Sequence, residues 1–320
     1  MAAPQTDPSS SSPSSALLSW RIGDVDVVRV EENILGLPTK VLVPDITAEQ
    51  IEAQREWVAP YFDPPQDETL MLRLSLHSFV VRSAGKTIVV DTCVGPDPER
   101  SLEGDPTFGD RLDATIDGGL AAVDVVVCTH LHFDHVGWNT VTVDGKVVPT
   151  FPNARYLVTR PEIEEMERDD HMAVKEPSIQ PLADAGVLDV IDIDAGVSGG
   201  DVAFRITDEV SLISTPGHTP GHVSVLIESG AASGLITGDA FHSPIQFAYP
   251  TLAAWRFDSD SEQSTATRTA MIERFVDSET LVLGTHFAPP TAGRLRRHAD
   301  QGADAGTAGE ADGVWFDSSL

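Results

Sequence analysis

Thr129-His130-Leu131-His132-Phe133-Asp134-His135, running into Val136-Gly137-Trp138, places four potential metal ligands within six residues, directly after the apolar run from Val123 to Cys128. In an extended chain alternate side chains share a face, so His130 and His132 can grip one ion together while a turn aims Asp134 and His135 at another. A single histidine is more often a surface or core residue than a ligand. Three imidazoles and a carboxylate at H-x-H-x-D-H spacing behind a buried strand are different, because without a cation they would crowd one another. The reading then depends on whether the rest of the chain supplies partners.

It does. Thr215-Pro216-Gly217-His218-Thr219-Pro220-Gly221-His222 is followed by a strand from Val223 to Glu228, a turn from Ser229 to Gly234, and a return strand Leu235-Ile236-Thr237 that runs into Gly238-Asp239. Because a hairpin reverses, the residues just before its first strand and just after its second lie at one sheet edge, so His218 and Asp239 are expected to be neighbours. Leu281-Val282-Leu283 is a last buried strand that delivers His286 through Gly284-Thr285. Asp91 ends the strand Thr87 to Val90. Asp91, His130, Asp239 and His286 all sit just past apolar strands, where open sheets carry their sites.

Elsewhere the chain alternates short strands and helices. Ile22 to Val30 reads as a strand and Glu31 to Pro44 as irregular, broken by Gly36 and Pro38. Thr47-Ala48-Glu49-Gln50 has capping-box form and opens a helix to Val58. Leu72, Leu74 and Leu76 alternate with polar residues, which puts His77 on a solvated face. A Pro/Gly/acidic loop from Pro96 to Thr107 borders the site, and Phe108 after it is a buried anchor or a pocket wall. Val141 to Val148 turns at Asp144-Gly145 as a small hairpin. Arg155 to Thr159 is a strand, and Pro161 opens a helix whose glutamates Glu162, Glu164, Glu165 and Glu167 read as a solvated face. His171 has no neighbouring ligand type and stays outside the site. Ile179 to Ala185 is a short helix, followed by strands Val187 to Ile193, Val202 to Ile206 and Val210 to Ser214. Ser261 to Val276 is a helix with Ile272, Phe275 and Val276 facing inward.

Composition narrows the function classes. With 320 residues the chain can bury a sizeable core. Its 50 acidic residues against 21 basic ones give a formal charge of −29, a field that repels phosphate backbones and anionic headgroups, so neither nucleic acid nor a membrane surface is an expected partner. Residues 1–18 read as a disordered Ser/Pro leader without the features of a secretory signal, and 298–320 as an acidic flexible tail in which Val314-Trp315-Phe316 can dock. A single domain over 19–297 lies between them. Cys93 and Cys128 are the only cysteines, buried thiols that fit a reducing, cytoplasmic compartment.

His130, His132, Asp134, His135, His218, Asp239 and His286 together resemble, in composition, order and spacing, the motif of the metallo-β-lactamase superfamily, over roughly Val25 to Pro290. The resemblance implies an α/β fold, an αββα sandwich of two facing mixed sheets with helices outside. It implies that His130, His132 and His218 hold one metal, that Asp134, His135 and His286 hold a second, and that Asp239 bridges. Such a ligand set suits two divalent ions, zinc first, with iron or manganese permitted. The implied chemistry is metal-assisted hydrolysis by a bridging hydroxide, with Asp134 helping to orient the nucleophile. Asp91 corresponds to the family's supporting aspartate, His222 reads as an imidazole behind the ligands, Thr129 and Thr219 as hydrogen-bonding partners of ligands, and Gly217 and Gly221 as turn residues.

Aspartate at position 239 points away from the penicillin-hydrolysing branch, whose members carry cysteine there, and toward lactonases, phosphotriesterases and their relatives. A small uncharged ester, lactone or organophosphate is the expected substrate. Acyl-homoserine lactonases carry a tyrosine three residues after this aspartate. Here the position is His242, which is expected to hydrogen-bond the substrate or the leaving oxygen. Phe108, Phe133, Trp138, Phe241 and Phe247 are candidates for an apolar pocket wall. A mononuclear-iron persulfide dioxygenase-like oxidoreductase, or a metal-binding scaffold without catalysis, is the competing class. The oligomeric state is open, a homodimer being compatible.

Overall fold

A computed structural model describes residues 17–66, 68–96, 102, 104–170, 173–193, 202–298 and 313–320. The expectations for His171, for residues 1–16 and 299–312, and for half of the Pro96 to Thr107 loop fall outside them.

Two sheets face each other. The first begins with β1 (Ser19–Ile22), β2 (Val25–Pro38), β3 (Phe62–Gln66), β4 (Thr69–Ser83), β5 (Lys86–Val90) and β6 (Val125–Val127). A separate hairpin, β7 (Thr140–Val143) with β8 (Lys146–Pro149), precedes its last strands, β9 (Arg155–Thr159) and β10 (Leu188–Ile191). The order is β1-β2-β4-β5-β6-β9-β10, with β3 also on β4; it is antiparallel up to β5 and parallel beyond. The second sheet runs in sequence order: β11 (Val202–Arg205), β12 (Val210–Ser214), β13 (Val223–Ser229), β14 (Ala232–Ile236), β15 (Leu281–Leu283), β16 (Ala292–Arg297) and β17 (Val314–Asp317). Only β14 and β15 pair in parallel.

The layers follow from which faces are apolar. Val27, Val81, Val90 and Val127 of the first sheet pack on Leu212, Val225, Ile236 and Leu283 of the second, forming the core between sheets. On the outer face of the first sheet, Val80, Val89 and Val126 meet Phe108 and Leu112 of the helix Phe108–Thr115, Met166 of the helix Arg160–Arg168, and Leu182. On the outer face of the second, Leu226, Leu235 and Val282 meet Trp57, Phe241 and Phe247, with Met271, Ile272 and Phe275 of the helix Ser261–Phe275. Both outer faces are thus covered by helices, the αββα arrangement the sequence implied. The capping box at Thr47 forms as read, Thr47 and Gln50 exchanging side-chain to backbone bonds.

Two local expectations change. Glu31 to Pro38 is not irregular: it continues β2, paired from Glu31↔His77 to Pro38↔Met71, because a fifteen-residue partner, β4, offers a ladder long enough to override Gly36 and Pro38. The interruption is a bulge at Glu32, whose carboxylate turns inward to accept from Val94 N, Gly95 N and Trp138 Nε1. Within the segment read as a flexible tail, Val314–Asp317 is ordered as β17, because Val314 and Phe316 are buried against the second sheet's outer core.

Candidate metal centre

The site lies along one rim, where five chain segments end. Asp91 follows β5, His130 to His135 follow β6, His218 follows β12, Asp239 follows β14, and His286 follows β15. Ser75 N donates to His286 O, and Leu74 bridges Phe287, so β4 of the first sheet is tied to the loop that carries the last of these residues.

All seven residues expected as ligands meet there. Ligand atoms of His130, His132, His218 and Asp239 form one group and those of Asp134, His135 and His286 a second, each within 4.8 Å. Nε2 of His218 is 2.9 Å from Nδ1 of His132 and 3.5 Å from Oδ2 of Asp239. The same oxygen is 3.9 Å from Nε2 of His130 and 3.4 Å from Nε2 of His135, while Oδ1 of Asp239 is 3.2 Å from Nε2 of His286. Asp239 therefore faces both groups. Nε2 of His286 and of His135 lie 3.6 and 3.8 Å from Oδ2 of Asp134.

Buried polar atoms without partners test whether a cation fits. Nε2 of His130, Nε2 of His135 and Oδ1 of Asp239 have no hydrogen-bond partner among the described residues, although all three residues are buried. Leaving such atoms unsatisfied costs about 1–3 kcal/mol each, and all three point at the same small volume. Imidazole nitrogens and carboxylate oxygens without thiolate suit zinc, iron or manganese. The residues fit divalent cations, as the resemblance implied.

Charge states agree. Burial, reinforced by neighbouring imidazoles, holds His130 and His132 well below the usual histidine range, so both keep free lone pairs. Burial works against a proton on His135 and on His286, but the carboxylates, Asp239 first, outweigh it and raise both. Burial likewise opposes charge on Asp239, and His135, His286 and His242 overcome it, keeping its carboxylate ionised well below the ordinary range. A cation among these groups replaces the protons that the carboxylates otherwise draw onto the two imidazoles.

Behind the expected ligands stand groups that hold them. Asp91, at φ +56°, accepts from Thr129 N and Thr129 Oγ1 and lies 2.9 Å from Nδ1 of His135. Thr129 Oγ1 is also 3.1 Å from Nδ1 of His130. Nε2 of His222 accepts from Asp239 N at 2.8 Å, and burial pushes the His222 pKa down to about 3, which keeps that acceptor free. Nδ1 of His286 is 3.0 Å from Ser75 O. Nδ1 of His218 is 2.9 Å from Oδ1 of Asp258, a residue the sequence reading did not single out. Gly217 takes φ +129° as a turn residue should, whereas Gly221 is required by close approach: a Cβ there would collide with Thr159 Oγ1.

His77 departs from its expected solvated position. It is buried, its Nδ1 2.8 Å from Ser75 Oγ and its ring edge-on to Phe79, because it shares with Phe79 and Val81 the face of β4 that the second sheet covers. Glu162 departs likewise from the solvated face of its helix: it is 2 % exposed and accepts from Leu131 N and Gly221 N.

A cavity of about 210 Å³ opens onto the centre, walled by Leu37, Val41, Leu42, Leu74, Phe133 and Phe257, and His242 also lines it. Of the five aromatics expected as wall, Phe133 takes that place. Phe108, Trp138, Phe241 and Phe247 are core residues: Phe108 and Trp138 pack under the first sheet's helices, Phe241 and Phe247 under those of the second. His242 Nε2 is 3.2 Å from Oδ2 of Asp239, and its Nδ1 has no partner among the described residues.

The sequence model of the family described as Metallo-beta-lactamase superfamily matches residues 73–286, which hold all seven residues expected as ligands. The chain belongs to the metallo-β-lactamase superfamily. Among relatives, it is 29 % identical over 167 residues to "Probable metallo-hydrolase YflN" of Bacillus subtilis (strain 168), covering 51 % of this chain and 56 % of that one. It is 31 % identical over 124 residues to an N-acyl homoserine lactonase of Bacillus thuringiensis, covering 38 % of this chain and 40 % of that one. The chain thus spans about half the length of the curated relatives it matches. Its fold is similar to that of the solved hydrolase AbOPH, with TM-score 0.69 and 22 % identity over 94 % of this chain and 96 % of that one. It is equally similar, at 17 % identity and the same coverage, to AidC, a dizinc quorum-quenching lactonase. Among the described residues no helix is long and apolar enough to cross a membrane.

Proposed function

We propose that the chain is a metal-dependent hydrolase with two divalent ions, zinc first, acting on a small uncharged ester, lactone or organophosphate that carries an apolar group. The observation that carries this reading is the convergence of seven donor atoms from separate segments onto one point, several of them buried without partners, beside an apolar cavity. His130, His132 and His218 would hold one ion, Asp134, His135 and His286 the other, with Asp239 shared. Bound there, the pair supplies a water acidified to a pKa of about 7 and a Lewis acid for the substrate's carbonyl or phosphoryl oxygen.

The chain's own residues do the rest. Leu37, Val41, Leu42, Leu74 and Phe257 hold the apolar part of the substrate and exclude bulk water from that side. Asp134, the only one of the seven that is not buried, faces the cavity and can accept a hydrogen bond from the attacking water. His242, with Nε2 toward Asp239, has Nδ1 available to the substrate or the departing oxygen. N-acyl homoserine lactonases among the relatives support a lactone, while histidine at position 242 keeps the aryl ester and organophosphate alternatives in play. The hydrolase unit is proposed as one domain over residues 19–297, with the strand Val314–Asp317 added to it, in a cytoplasmic protein.

Metal analysis and a hydrolysis panel of lactones, aryl esters, phosphotriesters and a cephalosporin, run with and without chelator, test the proposal. About two zinc per chain and chelator-sensitive turnover are expected. Turnover that survives the chelator overturns it; one iron per chain with oxygen uptake returns the dioxygenase-like reading, and no metal returns the scaffold.

A further inference from the structure

The three histidines of the first metal position come from different sheets. His130 and His132 follow β6 of the first sheet, whereas His218 precedes β13 of the second. Strand register fixes neighbours within a sheet and leaves the separation of these two segments to contacts between the layers. At their roots one such contact is present, Val223 N donating to Thr129 O at 3.0 Å. Out at the ligands themselves the link is Glu162.

Glu162 sits in the first turn of the helix Arg160–Arg168 and points inward, while Glu164 and Glu167 of that helix are exposed. Its Oε2 accepts from the backbone N–H of Leu131, the residue between His130 and His132, at 2.9 Å. Its Oε1 accepts from the backbone N–H of Gly221, three residues past His218, at 2.8 Å. Thr159 Oγ1 donates to Gly221 O at 2.8 Å, and the missing Cβ of Gly221 lets the loop close onto this strand-to-helix junction. One carboxylate therefore joins the two loops. Both of its oxygens face N–H donors, so both must accept; an amide would aim its own N–H at one of them.

We propose that Glu162 is a positioning residue for the first metal ion, setting the distance between the His130/His132 loop and the His218 loop. The inference rests on the ligand assignment proposed above. A carboxylate serving only the helix would bond within it, whereas both bonds here go to the backbones of segments that carry ligands. Replacing it loosens one ion and spares the other, whose ligands Asp134, His135 and His286 receive nothing from Glu162.

The experiment compares wild type, Glu162→Gln, Glu162→Asp and, as control, Glu164→Gln on the exposed side of the same helix, each loaded with Co(II). Retention of each equivalent against a competing chelator, the visible Co(II) spectrum and the melting temperature of the metal-free chains are measured. The expected result is that Glu162→Gln releases one of two equivalents about 10–100-fold more readily and changes the spectrum, as loss of a group that orients ligands typically does. Glu162→Asp, too short to reach both loops, behaves alike, and Glu164→Gln matches wild type. Wild-type retention and spectrum in both Glu162 variants overturn the proposal even if their melting temperatures fall, and so does failure of both to fold with metal in excess, since the role is then the fold's. A wild type that binds no Co(II) instead removes the ligand assignment itself.

Discussion

Oδ1 of Asp258 lies 2.9 Å from Nδ1 of His218, so the imidazole that offers Nε2 to the centre is held from behind by a fully buried carboxylate. Burial alone would push the Asp258 carboxyl up, and the bond to His218, together with the electrostatic pull of His218, His242 and Arg268, more than offsets this, holding it low and ionised. Its other oxygen accepts from Ala254 N. Asp258 thereby fixes the tautomer and the ring plane of a residue expected as a ligand. Asp258→Ala is expected to lower affinity for one metal about 10–100-fold, read by competition with a chromogenic chelator. Unchanged affinity would mean that the Pro216 to Thr219 turn alone orients His218.

His242 makes a contrasting case, since it touches the centre without belonging to either ligand group. If its Nδ1 serves the substrate or the leaving oxygen, His242→Ala should keep full metal content and lose about 100-fold or more in kcat, the range of a positioned acid or base. Metal analysis and kinetics on one preparation separate the two effects. Full kcat with full metal would remove His242 from the chemistry.

What the sequence made legible, and what it hid, follows from how the site is built. Asp91, His130, Asp239 and His286 were found because each ends an apolar run that reads as a strand, and His218 because a hairpin must return to its starting edge. Asp258 gave no such signal: it sits in an irregular stretch before the helix Ser261–Phe275, and only the folded chain brings it under His218. Glu162 was concealed among the other glutamates of its helix, whose pattern shows a polar face and not that one member turns inward. Apart from Phe133, the pocket wall was missed for a related reason. Leu37, Val41 and Leu42 lie in the stretch broken by Gly36 and Pro38, where apolar residues carry no period, and aromatic size drew attention to rings that fill the core instead.

That wall sets the next expectation. Val41 lines the cavity without contributing a ligand or a hydrogen bond to the centre, so Val41→Trp should narrow the space and leave the ions in place. For a series of esters of increasing acyl length, kcat/KM should fall about tenfold, roughly 1.4 kcal/mol, for the long members and stay near wild type for the short ones. A uniform loss along the series would place the substrate's apolar part elsewhere.

His77 provides a prediction in pH. Burial, with Arg29 and His286 adding to it, depresses its pKa well below the usual value, so folded His77 stays neutral where the unfolded chain takes up a proton. The unfolded state then binds more protons below the unfolded pKa of about 6.5, and stability is complete above that pH and lost as pH falls toward the folded value. Each pH unit in that window costs about 1.4 kcal/mol for this one site. His77→Gln leaves a polar side chain beside Ser75 Oγ and removes the titration. It should therefore be less stable than wild type at pH 7.5, through the poorer fit against Phe79, yet lose less stability between pH 6.5 and 5. Urea unfolding of both proteins across this range, with zinc in excess, gives the two slopes; parallel slopes would show that His77 takes up its proton equally in the folded and unfolded chain.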